Sequence, residues 1–256
     1  MKLIKILTAF IALASLQITA AQWLNVPPPA EAKNLMIFTA GVPVVATGIE
    51  YVASSIGSNA VENQNMSIAF GASTQSGDLL VVAIALADGT EAVPDVGAGT
   101  FRDNRSNTWT LVYEAPSANS TSMNIGFYTA IATDSGTVTI TSTLSTTRYQ
   151  RGVVMAFRNA TGGGAVDDTA QVSASSTNPH AGTITPTGRA VIFGFVRIMS
   201  GASTVTPDAE WTLCAENETN SNVMSGCYVI VDSGNYDYGW TLGTSGWHRS
   251  ATIALK

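Results

Sequence analysis

The stretch Tyr236-Asp-Tyr-Gly-Trp-Thr-Leu-Gly-Thr-Ser-Gly-Trp247 interleaves rings, glycines and polar groups in the manner of a saccharide-recognising loop. A pyranose lays its apolar face on an aromatic ring and hydrogen-bonds at its rim, so such a loop needs both an amphipathic ring and fixed polar neighbours. The expected ligand contacts are Asn235, Tyr236, Asp237, Tyr238 and Trp240, with the two tyrosines exposed. The competing reading is an aromatic hairpin that merely closes one end of the fold. Trp247 is expected on the core face of the strand that follows.

Other chemistry has less to work with. Only two histidines occur, His180 in a Pro/Gly loop and His248, which is read as a sheet-surface residue. No Gly-x-Ser-x-Gly elbow stands between a strand and a helix, so nucleophilic catalysis lacks its usual frame. Zinc needs three or four His, Cys or carboxylate ligands, and these residues are too few and too scattered. Calcium is a more open case. Asp103-Asn104…Ser106-Asn107 and Asp232…Asn235…Asp237 offer hard oxygen ligands, but Asp and Asn also cap tight turns through their own side chains. Glycoside cleavage would need two carboxylates flanking a sugar. Glu114 and Glu216 end equivalent segments and are the only pair suggested, against the simpler reading that each leaves its strand into solvent. The chain is therefore expected not to be an enzyme and to need no cofactor, calcium aside.

Cys214 and Cys227 lie in neighbouring strand-like segments around a polar loop. In an exported protein two cysteines usually pair, and a cross-strand disulfide is expected here. Two small buried hydrophobes would be the alternative.

These residues must be held by strands, because no helical period appears after the N-terminal segment. Strands are expected at 49–56, 65–70, 78–87, 108–115, 123–132, 136–142, 150–158, 168–174, 189–199, 211–216, 226–232, 238–242 and 248–255, separated by Ser-Gly, Asp-Gly and Gly-Gly turns. Several segments recur. Trp109-Thr-Leu-Val-Tyr-Glu114 matches Trp211-Thr-Leu-Cys-Ala-Glu216, and each follows an apolar run, Leu79–Leu86 or Ala190–Val196. Each half then reaches an acidic Ser-Gly turn and closes on Arg151 or Arg249 followed by apolar residues. The two apolar runs are apolar on both faces, so they are expected as central strands covered on both sides. The fold class that follows is all-β, an antiparallel jelly-roll-like β-sandwich built from two degenerate half-repeats, with 49–256 as one domain rather than two joined near 159–169.

The strand entry Gly77-Asp78-Leu79-Leu80, the turn Asp103-Asn104…Asn107 and the following Trp109-Thr110-Leu111, with a closing Ala-rich strand, resemble a group of jelly-roll-like β-sandwich domains of phage structural proteins and secreted bacterial proteins. The resemblance implies a sandwich with a binding or structural role and carries over no catalytic residue.

Composition narrows the partners. Charged residues make up 12 % of the chain, about half the usual ~25 %, and the net charge is −6. Without a basic cluster there is no electrostatic footprint for phosphate backbones, so nucleic acid is not an expected partner. Residues 1–21 read as a signal peptide: Lys2 and Lys5, an apolar stretch from Ile6 to Leu16, then Thr19-Ala20-Ala21. An uncleaved hydrophobic arm is the alternative, and no membrane span remains once the leader is removed. Residues 22–48, with Pro27-Pro-Pro29, read as an extended arm. The expected protein is a secreted, extracellular binding module for glycan or a cell-surface polymer. The alternative is a virion structural or decoration protein that docks on its neighbours, or forms a homo-oligomer, through its N-terminal arm. A carbohydrate-active enzyme is a minor third reading.

Overall fold

Strands alternate with tight turns from Glu50 onward, as the spacing of Gly, Asn and Asp dictates. The structure is a computed structural model that describes residues 48–58, 63–87, 100–116, 123–199, 204–217 and 223–256. The expected leader and all of the arm but Gly48 lie outside the described residues. Among the described residues there are only strands and turns, and no helix is long and apolar enough to cross a membrane. The first half holds β1 (Glu50–Ser58), β2 (Asn63–Thr74), β3 (Leu79–Ala87), β4 (Thr100–Asp103), β5 (Thr110–Pro116), β6 (Met123–Ile131) and β7 (Gly136–Arg158). The second holds β8 (Val166–Ser176), β9 (Ala190–Ile198), β10 (Val205–Pro207), β11 (Leu213–Asn217), β12 (Met224–Val231), β13 (Trp240–Leu242) and β14 (Gly246–Leu255).

Two sheets form the body, one in the order β1-β7-β3-β6-β5 and the other β11-β12-β9-β14-β8, with every pairing antiparallel. Taken from its other edge, the second order is β8-β14-β9-β12-β11. The expected all-β antiparallel sandwich is what the chain forms.

Three apolar layers hold it together. Between the sheets, Phe127, Phe157, Phe193, Phe195, Ile253 and Leu255 belong to one core fed by both halves. The outer face of the first sheet packs Leu80, Val82 and Ile84 against Ile68, Phe70 and Ile140 of an overlying layer of β2, β4 and the first part of β7. The outer face of the second sheet packs Ile192, Val196 and Val229 under Trp211, Trp240 and Leu242. Strands β3 and β9 therefore bury alternate residues in opposite directions, and this is why their sequences are apolar throughout.

One expected break does not occur. Residues 136–142 and 150–158 are a single strand, β7, whose first part pairs with β2 and β4 and whose second part pairs with β1 and β3. Between Gly136 and Gly152 the chain has no Gly or Pro, and its Thr-rich run favours extended backbone through the corner. Later in the chain β13 and β14 remain two strands, divided at Gly243-Thr-Ser245.

Candidate functional site

The aromatic loop lies over the outer face of the second sheet. Its backbone is tied at both sides: Ile184 and Tyr236 exchange N–H to carbonyl bonds of 2.8 and 2.9 Å, Gly234 N–H donates to the Pro186 carbonyl, and Trp240 N–H donates to the Pro179 carbonyl. Gly239 lies against His180, and a Cβ there would come within 2.7 Å of the imidazole. Such ties fix the loop before any ligand arrives, and pre-organisation lowers the cost of binding.

The rings form a descending row. Tyr236 and Tyr238 have centroids 5.7 Å apart, Tyr238 and Trp211 5.2 Å, and Trp211 and Trp240 5.4 Å. Gly194 of β9 makes room for the lower end, since a Cβ there would sit 2.5 Å from Trp211. Trp240 is fully buried and donates its indole N–H toward Ser225 Oγ and Cys227 Sγ. The expectation that Trp240 touches ligand is therefore corrected: it anchors the loop from below. Tyr236 and Tyr238 are half-buried rather than fully exposed, while Asn235 and Asp237 are exposed at the rim. Asn235 Oδ1 accepts from Thr185 Oγ1, and Asp237 Oδ1 lies 3.3 Å from His180 Nδ1. Burial, reinforced by the nearby Tyr236 and Glu210, pushes the Tyr238 hydroxyl up, so it stays neutral and available as a donor.

The structure also places other residues that the sequence singled out. Glu114 accepts from Asn124 Nδ2 on the outer face of the first sheet, whereas Glu216 stands opposite Ser225, whose hydroxyl faces Trp240 beyond the second sheet. Both sheets separate the two carboxylates, so they flank no common cleft. In the run 103–107, Asp103 accepts from the backbone N–H groups of Arg105 and Asn107, from Asn107 Nδ2, and from Trp109 Nε1 at 2.7 Å. Both Asp103 oxygens thus accept hydrogen bonds within the turn. Among the described residues no three His, Cys, Asp or Glu side chains gather as a metal site.

Two residues sit opposite to expectation. His248 is buried rather than on the sheet surface, with Nε2 3.0 Å from Ser176 Oγ, and burial lowers its pKa to about 4. Trp247, expected in the core, is 41 % exposed. It shares its face with Arg249, Ala251 and Ile253, but it lies where that face runs out toward solvent beside exposed Ser175.

Sequence reasoning noted Arg151 and Arg249 as repeated positions and assigned them nothing. Both are buried, and Arg197, which was not singled out, is buried directly opposite Arg249. The available signal was parity: each arginine shares its strand face with core residues.

No known protein family, curated protein or solved structure matches this chain.

Proposed function

We propose that the protein is a non-catalytic extracellular binding module that recognises a glycan or cell-surface polymer through Tyr236 and Tyr238. The observation that supports this reading is the pre-organised ring pair, half-exposed, backed by Trp211 and bordered by Asn235 and Asp237. A sugar face laid on those rings would meet an amide and a carboxylate at their edge. The jelly-roll ordering and the origin of both halves in one repeated unit belong to the same proposal. A virion role through the arm 22–48 rests on residues outside the described range.

The test is binding to insoluble polysaccharides and to a glycan array. Asn235→Ala with Asp237→Ala touches only the rim and should weaken binding with little change in Tm. Tyr238→Ala should abolish binding and also cost about 1 kcal/mol, because the ring is part of the packed layer. Wild-type binding that survives both changes would return the loop to a purely structural role.

A further inference from the structure

Each sheet order ends in strands with one open side, β1 and β5 in the first and β8 and β11 in the second. An open side offers backbone N–H and C=O groups to any extended chain, and proteins guard it with bulges, prolines, charges or shortness. Three of the four are guarded. β1 is bulged between Tyr51 and Ala53, and β2 runs against it: the Ala69 carbonyl accepts from Ser55 Oγ, and Ile68 lies on Gly57. β5 is bulged between Leu111 and Tyr113 and ends in Pro116. β11 has only 5 residues.

β8 lacks these devices along most of its length. It has 11 residues, and from Asp168 to Ser176 it pairs with β14 in unbroken register, Ala254 to Gly246. Its one irregularity lies at its start, between Val166 and Asp168. Among the described residues its backbone pairs with β14 alone, and none of its side chains is fully buried. From Thr169 to Ser176 the sequence Thr-Ala-Gln-Val-Ser-Ala-Ser-Ser holds no charge, glycine or proline. The charges stand together at one end and are already engaged. Asp167 meets Lys256 Nζ at 2.8 Å, and Asp168 accepts from the Thr185 N–H at 2.6 Å.

We propose that β8 is a dimerisation edge, pairing antiparallel with β8 of a second copy about a two-fold axis at Val172. In that register Asp168 meets Ser176 of the second copy, Thr169 meets Ser175, Ala170 meets Ala174 and Gln171 meets Ser173. Val172 meets its own counterpart, as an isologous contact requires. Like charges directly opposite one another destabilise a ladder, and here no charge opposes a charge. The edge therefore matches itself in length, charge and side-chain size, and this selects a second copy as its occupant. The second sheets of the two copies become one continuous sheet. The seam engages fewer residues than the roughly 20–30 a side of a standard interface, so the dimer is weak and forms in the micromolar range.

The experiment is sedimentation velocity of the full chain from about 1 to about 500 μM, a span that brackets micromolar association. The average mass should rise from one chain toward two. Val172→Lys places two ammonium groups opposite each other at the axis and should weaken association at least about tenfold. Mixing Val172→Lys with Val172→Asp should restore dimers, because the mixed pair sets opposite charges across the seam. Val172→Cys should give a covalent dimer under mild oxidation, since opposed residues of an antiparallel ladder lie within disulfide reach. A wild-type chain that stays monomeric throughout, or a dimer that Val172→Lys leaves unchanged, overturns the proposal. Val172 is half-buried; should Val172→Lys fail to fold, the Val172→Cys cross-link decides, and its absence overturns the proposal equally.

Discussion

Cys214 and Cys227 stand directly opposite each other on β11 and β12, in register between Leu213–Tyr228 and Ala215–Gly226. Directly opposed residues of an antiparallel ladder have Cα atoms about 4.5–5.5 Å apart, inside the ~4.4–6.8 Å Cα range over which a disulfide closes. The side chain of Cys214 lies outside the described residues, so the bond itself is a prediction. Alkylation of the denatured, unreduced protein should label neither cysteine, and reduction should expose both. Full labelling before reduction would rule the bond out.

The two halves should not separate. The second half lends Phe193, Phe195, Ile253 and Leu255 to a core whose other wall is Phe127, Val153 and Phe157. A fragment of residues 165–256 would expose that apolar wall, so no cooperative melt is expected from it, while the full chain should unfold in one transition followed equally by fluorescence and circular dichroism. A fragment that melts cooperatively on its own contradicts this.

Trp240 of β13 and Trp247 of β14 should respond very differently to truncation. Trp240→Ala removes a fully buried ring and the donor to Ser225, at a cost of ~3–5 kcal/mol. Trp247→Ala removes a ring at the solvent end of its face and should cost about 1 kcal/mol or less. Urea unfolding of both variants measures the difference, and similar losses would show the assigned burial to be wrong.

His248 should make stability depend on pH. Its folded pKa is lowered to about 4 from an ordinary 6.5, chiefly by burial. Between those values the unfolded chain binds a proton that the folded chain refuses. The contribution is therefore complete above 6.5 and is lost as pH falls toward 4. Comparing wild type with His248→Asn between about pH 7 and about pH 5 should show a shallower decline in the variant. Identical slopes would mean that the imidazole charges freely in place.

Much of the strand pattern was legible because alternation and turn chemistry are local. The runs later seen as β3 and β9 read as buried on both faces, and both are. Two short strands, Thr100–Asp103 and Val205–Pro207, were missed because each is defined by a distant partner, β7 or β13, rather than by its own pattern. Parity placed Trp247 on the right face but could not say where along β14 the opposing sheet ends. His248 looked exposed between Trp247 and Arg249, yet its parity turns it toward Ile198 and beneath the outer layer, a cover supplied by remote residues. Glu114 and Glu216 looked like a pair because they occupy matching positions, but matching positions on two stacked sheets face away from each other. In the aromatic loop the residue types were readable, whereas the depth of Trp240 depended on Gly194, far off in sequence.

Strand β3 pairs on one side with β6 and on the other with β7, where Leu79 meets Phe157. During synthesis the most apolar strand of the first half must therefore leave the ribosome long before its second neighbour exists. Pairings between such distant positions are reached slowly, because the loop must close before the contact repays it. Until the second part of β7 is made, an apolar edge stays open to other chains. Yield in a heterologous host should then depend on chaperone supply and growth temperature more than on the final stability of the sandwich.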